Sequence, residues 1–372
     1  MTLGGPIDLT LGSPCDAPPE VAVRAMSEAS DTLGPYGRSV GSPAYREAAA
    51  AWMRRRLNVD VDPGAVAACV GTKEFVGGLA LLLAPLVDRA RDVVLVPAVA
   101  YPTYAVGAEL AGCRVVRVPM TDRFTLDLDA VDPADAARAR LLWVNSPGNP
   151  AGGLDDLGAA AAWARERGIV VCSDECYVEF TWAGGSPGTP DVPGATILSH
   201  GLDGVLALHS LSKRSNLAGG RAGCYAGDPE LVATLGERRR ELGLVVPGPV
   251  QAAAVAAWGD DAHVALQRER YVSRLTILAE AARAAGFPDV RLPAGGLYLW
   301  LNAGGDDRAA TRRLASLGVL VQPGSVYGPA GAGWIRMAAV RPEDEIVEAA
   351  RRIQTLSERS AADGGAVDSQ RF

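Results

Sequence analysis

Of the 36 basic residues in the chain only two are lysines, Lys73 and Lys213; the other 34 are arginines. Arginine stays protonated and offers no free amine, whereas lysine can lose its proton and condense with a carbonyl. Lys213 ends an apolar run, Val205 to Ser212, and is followed by Leu217-Ala218-Gly219-Gly220-Arg221. A strand that delivers a lysine to a serine- and glycine-rich turn, with an arginine eight residues on, suits a Schiff-base site beside a phosphate.

Pyridoxal phosphate asks four things of a protein: a lysine for its aldehyde, an anion site, an acidic partner for the pyridine nitrogen and a surface against the ring. Gly71-Thr72-Lys73-Glu74 reads as a glycine turn entering a helix, where backbone N–H groups and the Thr72 hydroxyl favour a phosphate. It reads equally as an ordinary helix cap. Ser210, Ser212 and Arg221 can add hydroxyls and a guanidinium to the same anion. Asp174 closes a buried apolar strand, where its charge is costly unless paired; the pyridine N–H is one partner, a helix cap the plain alternative. Tyr177, three residues on, can hydrogen-bond the ring oxygen or simply pack. Asn149, in the turn Asn145-Ser146-Pro147-Gly148-Asn149-Pro150, can donate its amide to that oxygen or only shape the loop. Tyr101 can stack on the ring or fill space. The three histidines, His200, His209 and His263, and the pair Cys172 and Cys176 show no zinc-like spacing, and no metal is expected.

These residues need a frame that gathers strand ends. Short Val/Leu/Ile runs at Ala67–Val70, Val93–Pro97, Arg114–Val118, Leu141–Asn145, Ile169–Ser173, Val205–His209 and Gly223–Ala226 alternate with helical stretches such as Lys73–Leu86, Thr103–Ala111 and Asp155–Arg167. The pattern predicts a mainly parallel seven-stranded sheet between helices, an α/β fold, in which ligands collect beyond the carboxyl ends of the strands. The last third changes character. A long helix over Pro249–Ala285, broken near Gly259, precedes strands at Leu297–Leu301, Val319–Val321 and Ile335–Ala338, with helices at Asp306–Leu317 and Pro342–Leu356. The expected division is an N-terminal arm with part of the small domain (1–35), a large domain (36–265), a smaller α+β domain (266–356) and a disordered tail (357–372).

Composition narrows the class. Hydrophobic residues make up 48% of 372, charged residues 21%, and the net charge is −7, which argues against nucleic acid as the partner. The triplets Arg54-Arg55-Arg56 and Arg238-Arg239-Arg240 read as solvated helix faces. No run of the chain reads as a membrane span, no leader is expected, and six scattered cysteines fit the reduced thiols of a cytoplasmic protein.

In order, Asn149-Pro150-Ala151-Gly152, Asp174 with Tyr177, Ser210-Leu211-Ser212-Lys213 and Arg221 resemble the class I/II aminotransferases of fold type I, aspartate aminotransferase-like in fold. Tyr36, Gly41, Tyr45-Arg46 and Arg336 extend the likeness over most of the chain. Within that family the chain resembles the actinobacterial succinyldiaminopimelate aminotransferases. The resemblance implies a pyridoxal-phosphate enzyme moving an amino group between an amino acid and a 2-oxo acid. Lys213 would hold the cofactor and act as the catalytic base, with Asp174 and Tyr177 beside it. Arg336 would clamp the substrate carboxylate next to Asn149, and the Gly12 region would close over the substrate. Tyr36 would reach the phosphate of a neighbouring subunit in a homodimer. Ala151, Gly37 and Gly220 depart from the family's usual residues, and the two glycines imply a larger or different substrate. The same scaffold also supports β- or γ-elimination, replacement or carbon–carbon bond formation, for example on S-adenosylmethionine, as an alternative reaction.

Overall fold

The computed structural model describes residues 4–182 and 194–365. Its strands in chain order are β1 (Ile7–Asp8), β2 (Val66–Cys69), β3 (Val93–Pro97), β4 (Arg114–Val118), β5 (Ala139–Asn145), β6 (Val170–Asp174), β7 (Val205–Ser210), β8 (Gly223–Gly227), β9 (Tyr298–Asn302), β10 (Val319–Leu320), β11 (Gln322–Pro323) and β12 (Trp334–Ala338). Seven of them form one sheet in the order β2-β8-β7-β6-β5-β3-β4, parallel throughout except for β8, which runs against both neighbours.

Both faces of that sheet are buried because successive side chains point to opposite sides. Val93 and Leu95 of β3 join one apolar core with Leu142 and Val144 of β5. Val94, Val96, Leu141 and Trp143 join the other. Helices Pro43–Leu57, Leu157–Glu166 and Gly248–Gly259 cover the first face; helices Thr72–Leu83, Thr103–Leu110 and Pro229–Glu241 cover the second. A separate core holds β9 and β12, helix Ala262–Ala284 and the helix that starts at Glu343.

The chain start divides between the two units. Ile7–Asp8 pairs in parallel with β10, while helix Glu20–Glu28 packs on helix Gly248–Gly259 of the large unit, with Ala22 in its core. The final helix runs Glu343–Gly365, past Leu356, where the disordered tail was expected. Ser357 to Asp363 carry no proline or glycine, and alanine, glutamate and arginine sustain a helix; residues 366–372 lie outside the described residues. Arg239 also departs from a solvated face. It is wholly buried, forks onto Glu74 at 2.6 and 2.9 Å and lies over Phe75 and Tyr225.

Candidate active site

Three neighbouring strands end together. Asn145 of β5 stands beside Asp174 of β6, and Asp174 beside Leu208 of β7, so β7 delivers Ser210 and Lys213 next to the carboxylate. The Ser210 hydroxyl accepts the Ser212 N–H at 3.1 Å and starts the turn Leu211–Arg214 that carries Lys213. That turn is anchored from behind. Arg214 donates to the Glu179 carboxylate at 3.0 Å, to Asp261 at 2.9 Å and to the Ala257 carbonyl at 2.6 Å. Fixing the residue after the lysine fixes the lysine's direction.

A cavity of about 600 Å³ opens above these ends. Lining it are Gly12, Thr72, Lys73, Tyr101, Asn149, Asp174, Tyr177, Ser210, Ser212, Lys213, Arg221 and Arg336. Gly71 stands just behind the lining. It takes φ +71°, and a Cβ there would lie 2.1 Å from Arg221 Nη2. Only a glycine lets that guanidinium approach the start of helix Thr72–Leu83, whose first-turn N–H groups have no side-chain cap and favour an anion. Arg221 itself is held in the left-handed region and donates to the Ala218 carbonyl at 2.8 Å.

Asp174 is buried and, among the described residues, forms no ion pair. Burial pushes its carboxyl above the ordinary range. The Tyr104 hydroxyl at 2.8 Å and the Cys176 N–H at 3.2 Å pull the other way, and Asn145 pins the Asp174 carbonyl at 2.8 Å. Tyr104 is in turn stacked on Trp143, 4.8 Å between centroids. Tyr177 and Tyr298 share a hydroxyl–hydroxyl bond of 3.0 Å, and burial holds the Tyr177 phenol well above its usual range.

Opposite the strand ends, Arg336 of β12 donates to Asn149 Oδ1 at 2.9 Å and to the Thr10 carbonyl. Its Cζ lies over the rings of Tyr298 and Tyr327, at 4.1 and 5.1 Å, and its Nε meets no acceptor among the described residues. The Gly12 carbonyl accepts from Lys213 Nζ. Tyr36 stands apart, fully exposed on its own chain and outside this cavity. Gly37 and Gly220 line no part of it either; a Cβ at Gly37 would meet Val245 at 3.1 Å, and one at Gly220 nothing nearer than 3.9 Å.

Several lining residues carried no role in the sequence reading: Thr10, Tyr104, Asn145, Tyr298, Gln322 and Tyr327. Tyr298 pairs with Ala338, two residues along from Arg336, and so stands on the Arg336 side of the sheet; that register comes from the pairing of β9 with β12 and carries no local signal in the sequence.

The donor set fits pyridoxal phosphate on structural grounds. A buried carboxylate lacking a cation, an amine at the end of the next strand, and a guanidinium beside an uncapped helix start match the pyridine nitrogen, the aldehyde and the phosphate in turn.

Comparison with known proteins agrees. The chain matches the family described as aminotransferase class I and II over residues 5–353. It is 44% identical to the 4-dedimethylamino-4-oxo-anhydrotetracycline transaminase OxyQ of Streptomyces rimosus, covering 94% of this chain and 93% of that one. It is 32% identical to an LL-diaminopimelate aminotransferase of Aquifex aeolicus, over 94% and 91%. The solved structure of a probable N-succinyldiaminopimelate aminotransferase from Thermus thermophilus superposes with a TM-score of 0.84 at 33% identity, covering 95% of each chain. The chain therefore belongs to the class I and II aminotransferases, pyridoxal-phosphate enzymes that move an amino group between amino acids and 2-oxo acids.

Proposed function

We propose that Lys213 holds the cofactor aldehyde and, once the substrate amine has displaced it, its freed amine would take a proton from the substrate Cα and deliver it to the former aldehyde carbon, on the other side of the substrate nitrogen. The cofactor supplies an electron sink for the negative charge left at Cα. Asp174 keeps the pyridine nitrogen protonated, oriented by Tyr104 and Asn145. Arg221, Ser210, Ser212 and the helix start at Gly71-Thr72-Lys73 hold the phosphate; Tyr101 faces the ring, and Asn149 and Tyr177 reach its oxygen. Arg336 forks onto the substrate carboxylate, and the Thr10–Gly12 segment covers it. The observation that carries this reading is the convergence of Lys213, Asp174 and Arg221 on one cavity.

The three relatives above are all named for transamination, which leaves the elimination, replacement and bond-forming alternative without support. For the amino acceptor we take a 2-oxo acid of the N-succinyl-2-amino-6-oxopimelate kind, with glutamate and 2-oxoglutarate as the other pair. A second reading, an oxo group on a large ring system, is favoured by the 44% identity to OxyQ. The chain acts as a cytoplasmic homodimer, with the exposed Tyr36 reaching the partner's phosphate. No described helix is long and apolar enough to cross a membrane.

Borohydride reduction of the holoenzyme followed by peptide mapping tests the assignment. A pyridoxyl group on Lys213 is expected; one on Lys73, or none, refutes it. An acceptor panel read through the pyridoxamine form separates the two substrate readings.

A further inference from the structure

The main cavity is unusually cationic for its size: Lys73, Lys213, Arg221 and Arg336 line it against one carboxylate, Asp174. On the reading above every one of these cations already has work. Arg221 and Lys73 answer the phosphate, Lys213 the aldehyde and Arg336 the α-carboxylate. None is left for a second acidic group on the substrate.

A smaller cavity, about 190 Å³, lies against the first and shares Tyr101, Tyr104 and Tyr327 with it. Its lining includes no acidic side chain and one cation, Arg117. Arg117 sits near the carboxyl end of β4, the end of the sheet where ligands gather. On the same strand Arg114 is tied to Asp135, whereas Arg117 has no hydrogen bond or ion pair among the described residues. Its guanidinium packs beside Gly328, where a Cβ would meet the Ala98 carbonyl at 2.4 Å and Arg117 Nη1 at 3.0 Å. Tyr327 lines both cavities, with Arg336 Cζ 5.1 Å from its ring, while Arg117 lines the smaller one and lies beside the next residue, Gly328. The smaller cavity has room for several water-sized groups.

We propose that Arg117 binds the distal carboxylate of a long dicarboxylic amino or 2-oxo acid whose α-carboxylate rests on Arg336. The Tyr327 ring is the spacer, so a substrate must be long enough to pass it before the second charge is met. A guanidinium suits a carboxylate because its fork donates two parallel hydrogen bonds. This inference rests on the roles given to Arg336 and Lys213 above.

The test compares 2-aminopimelate, which carries a far carboxylate, with norleucine, which does not. Each is given to the holoenzyme in a half-reaction followed by the absorbance of the pyridoxamine form. For R117Q the ratio of kcat/KM for 2-aminopimelate over norleucine is expected to fall about tenfold, mostly through KM. R117K keeps part of the preference, and R117E moves it toward lysine, whose chain ends in an ammonium. A ratio within twofold of the parent enzyme in R117Q overturns the proposal. So does an equal loss on both donors, which makes Arg117 a support for the Gly328 loop and no more. Absence of a borohydride-fixed cofactor on Lys213 in the parent enzyme is a different failure, that of the site reading itself.

Discussion

Replacing Gly12 by alanine tests whether the segment over the lysine is set by contact with Tyr298. A Cβ at position 12 would lie 2.0 Å from the Tyr298 hydroxyl, 2.9 Å from Cζ and 3.0 Å from Cε1, about 1.5 Å short of an ordinary contact. Tyr298 has little room to retreat, since its hydroxyl is bonded to Tyr177 and its ring lies under Arg336. The segment must move instead, taking the Gly12 carbonyl off Lys213 and the Thr10 carbonyl off Arg336. Overpacking of this order costs about 1–3 kcal/mol, and a displacement of ~1 Å beside the reacting atoms can cost on the order of a hundredfold in rate. G12A should therefore lower kcat/KM for the amino donor by roughly ten- to a hundredfold, measured in the half-reaction, with the cofactor still fixed on Lys213 by borohydride. The double variant G12A/Y298F loses the nearest contact and keeps the one at 2.9 Å, so it should recover part of the loss. A G12A enzyme within twofold of the parent, or a double variant no better than G12A, refutes the reasoning.

R336Q removes both donors that hold Asn149 and Thr10 and should cost about 2–5 kcal/mol in kcat/KM for amino acid donors; a loss confined to cofactor affinity would contradict the role. R214A removes the 3.0 Å donor of the buried Glu179, which Trp52 at 2.6 Å and Arg56 at 3.1 Å also hold, and should destabilise the fold by about 1–3 kcal/mol in urea unfolding; a smaller shift would show that Arg56 and Trp52 suffice. Burial pushes the Asp155 carboxyl up to about 6, so the folded chain holds this proton more tightly than the unfolded one. Stability from this group is full below its ordinary value of 3.8 and is lost as pH rises through about 6. D155N, which can still accept the Leu126 N–H, should flatten the fall of Tm across that window; an unchanged profile counts against it. Mixed K213A and Y36A chains should regain roughly a quarter of parental activity through hybrid dimers, and no recovery would sink the shared-site dimer.

Much of the frame was legible because the large sheet is buried on both faces. Val93–Pro97 and Arg114–Val118 have the same bounds in sequence and structure: the first is a buried run of Val and Leu between turns, and the second, an edge strand with two exposed arginines, is carried by Val115, Val116 and Val118. Ile7–Asp8 and Gln322–Pro323 were not legible; two residues carry no periodicity, and each is a strand only through its partner, β10 or β12. The site divides in the same way. Lys213, Asp174 and Arg221 declare themselves through residue type at strand ends, where an unpaired charge or a lone lysine needs a reason. Tyr104 does not, because nothing local says that a tyrosine on helix Thr103–Leu110 reaches a carboxylate 70 positions away. Arg239 misled for the opposite reason. It sits in a basic triplet, and its acidic partner, Glu74, lies 165 positions away.

The segment over Lys213 is fastened at both ends. Ile7–Asp8 is stitched to β10, and Asp16 is gripped by Arg274 at 2.7 and 2.8 Å and by Gln267 at 2.8 Å. Leu9 is held as well, its N–H on the Leu320 carbonyl at 2.8 Å and its carbonyl on the Ala338 N–H at 2.9 Å, so only residues 10–15 lie between the two clamps. So short a tether cannot swing into solvent; it can only bow outward or settle back, and the disorder surrendered on settling is small. Both posts of this bowstring belong to the small unit, so a rotation of that unit leaves its span unchanged and carries it bodily toward or away from Lys213.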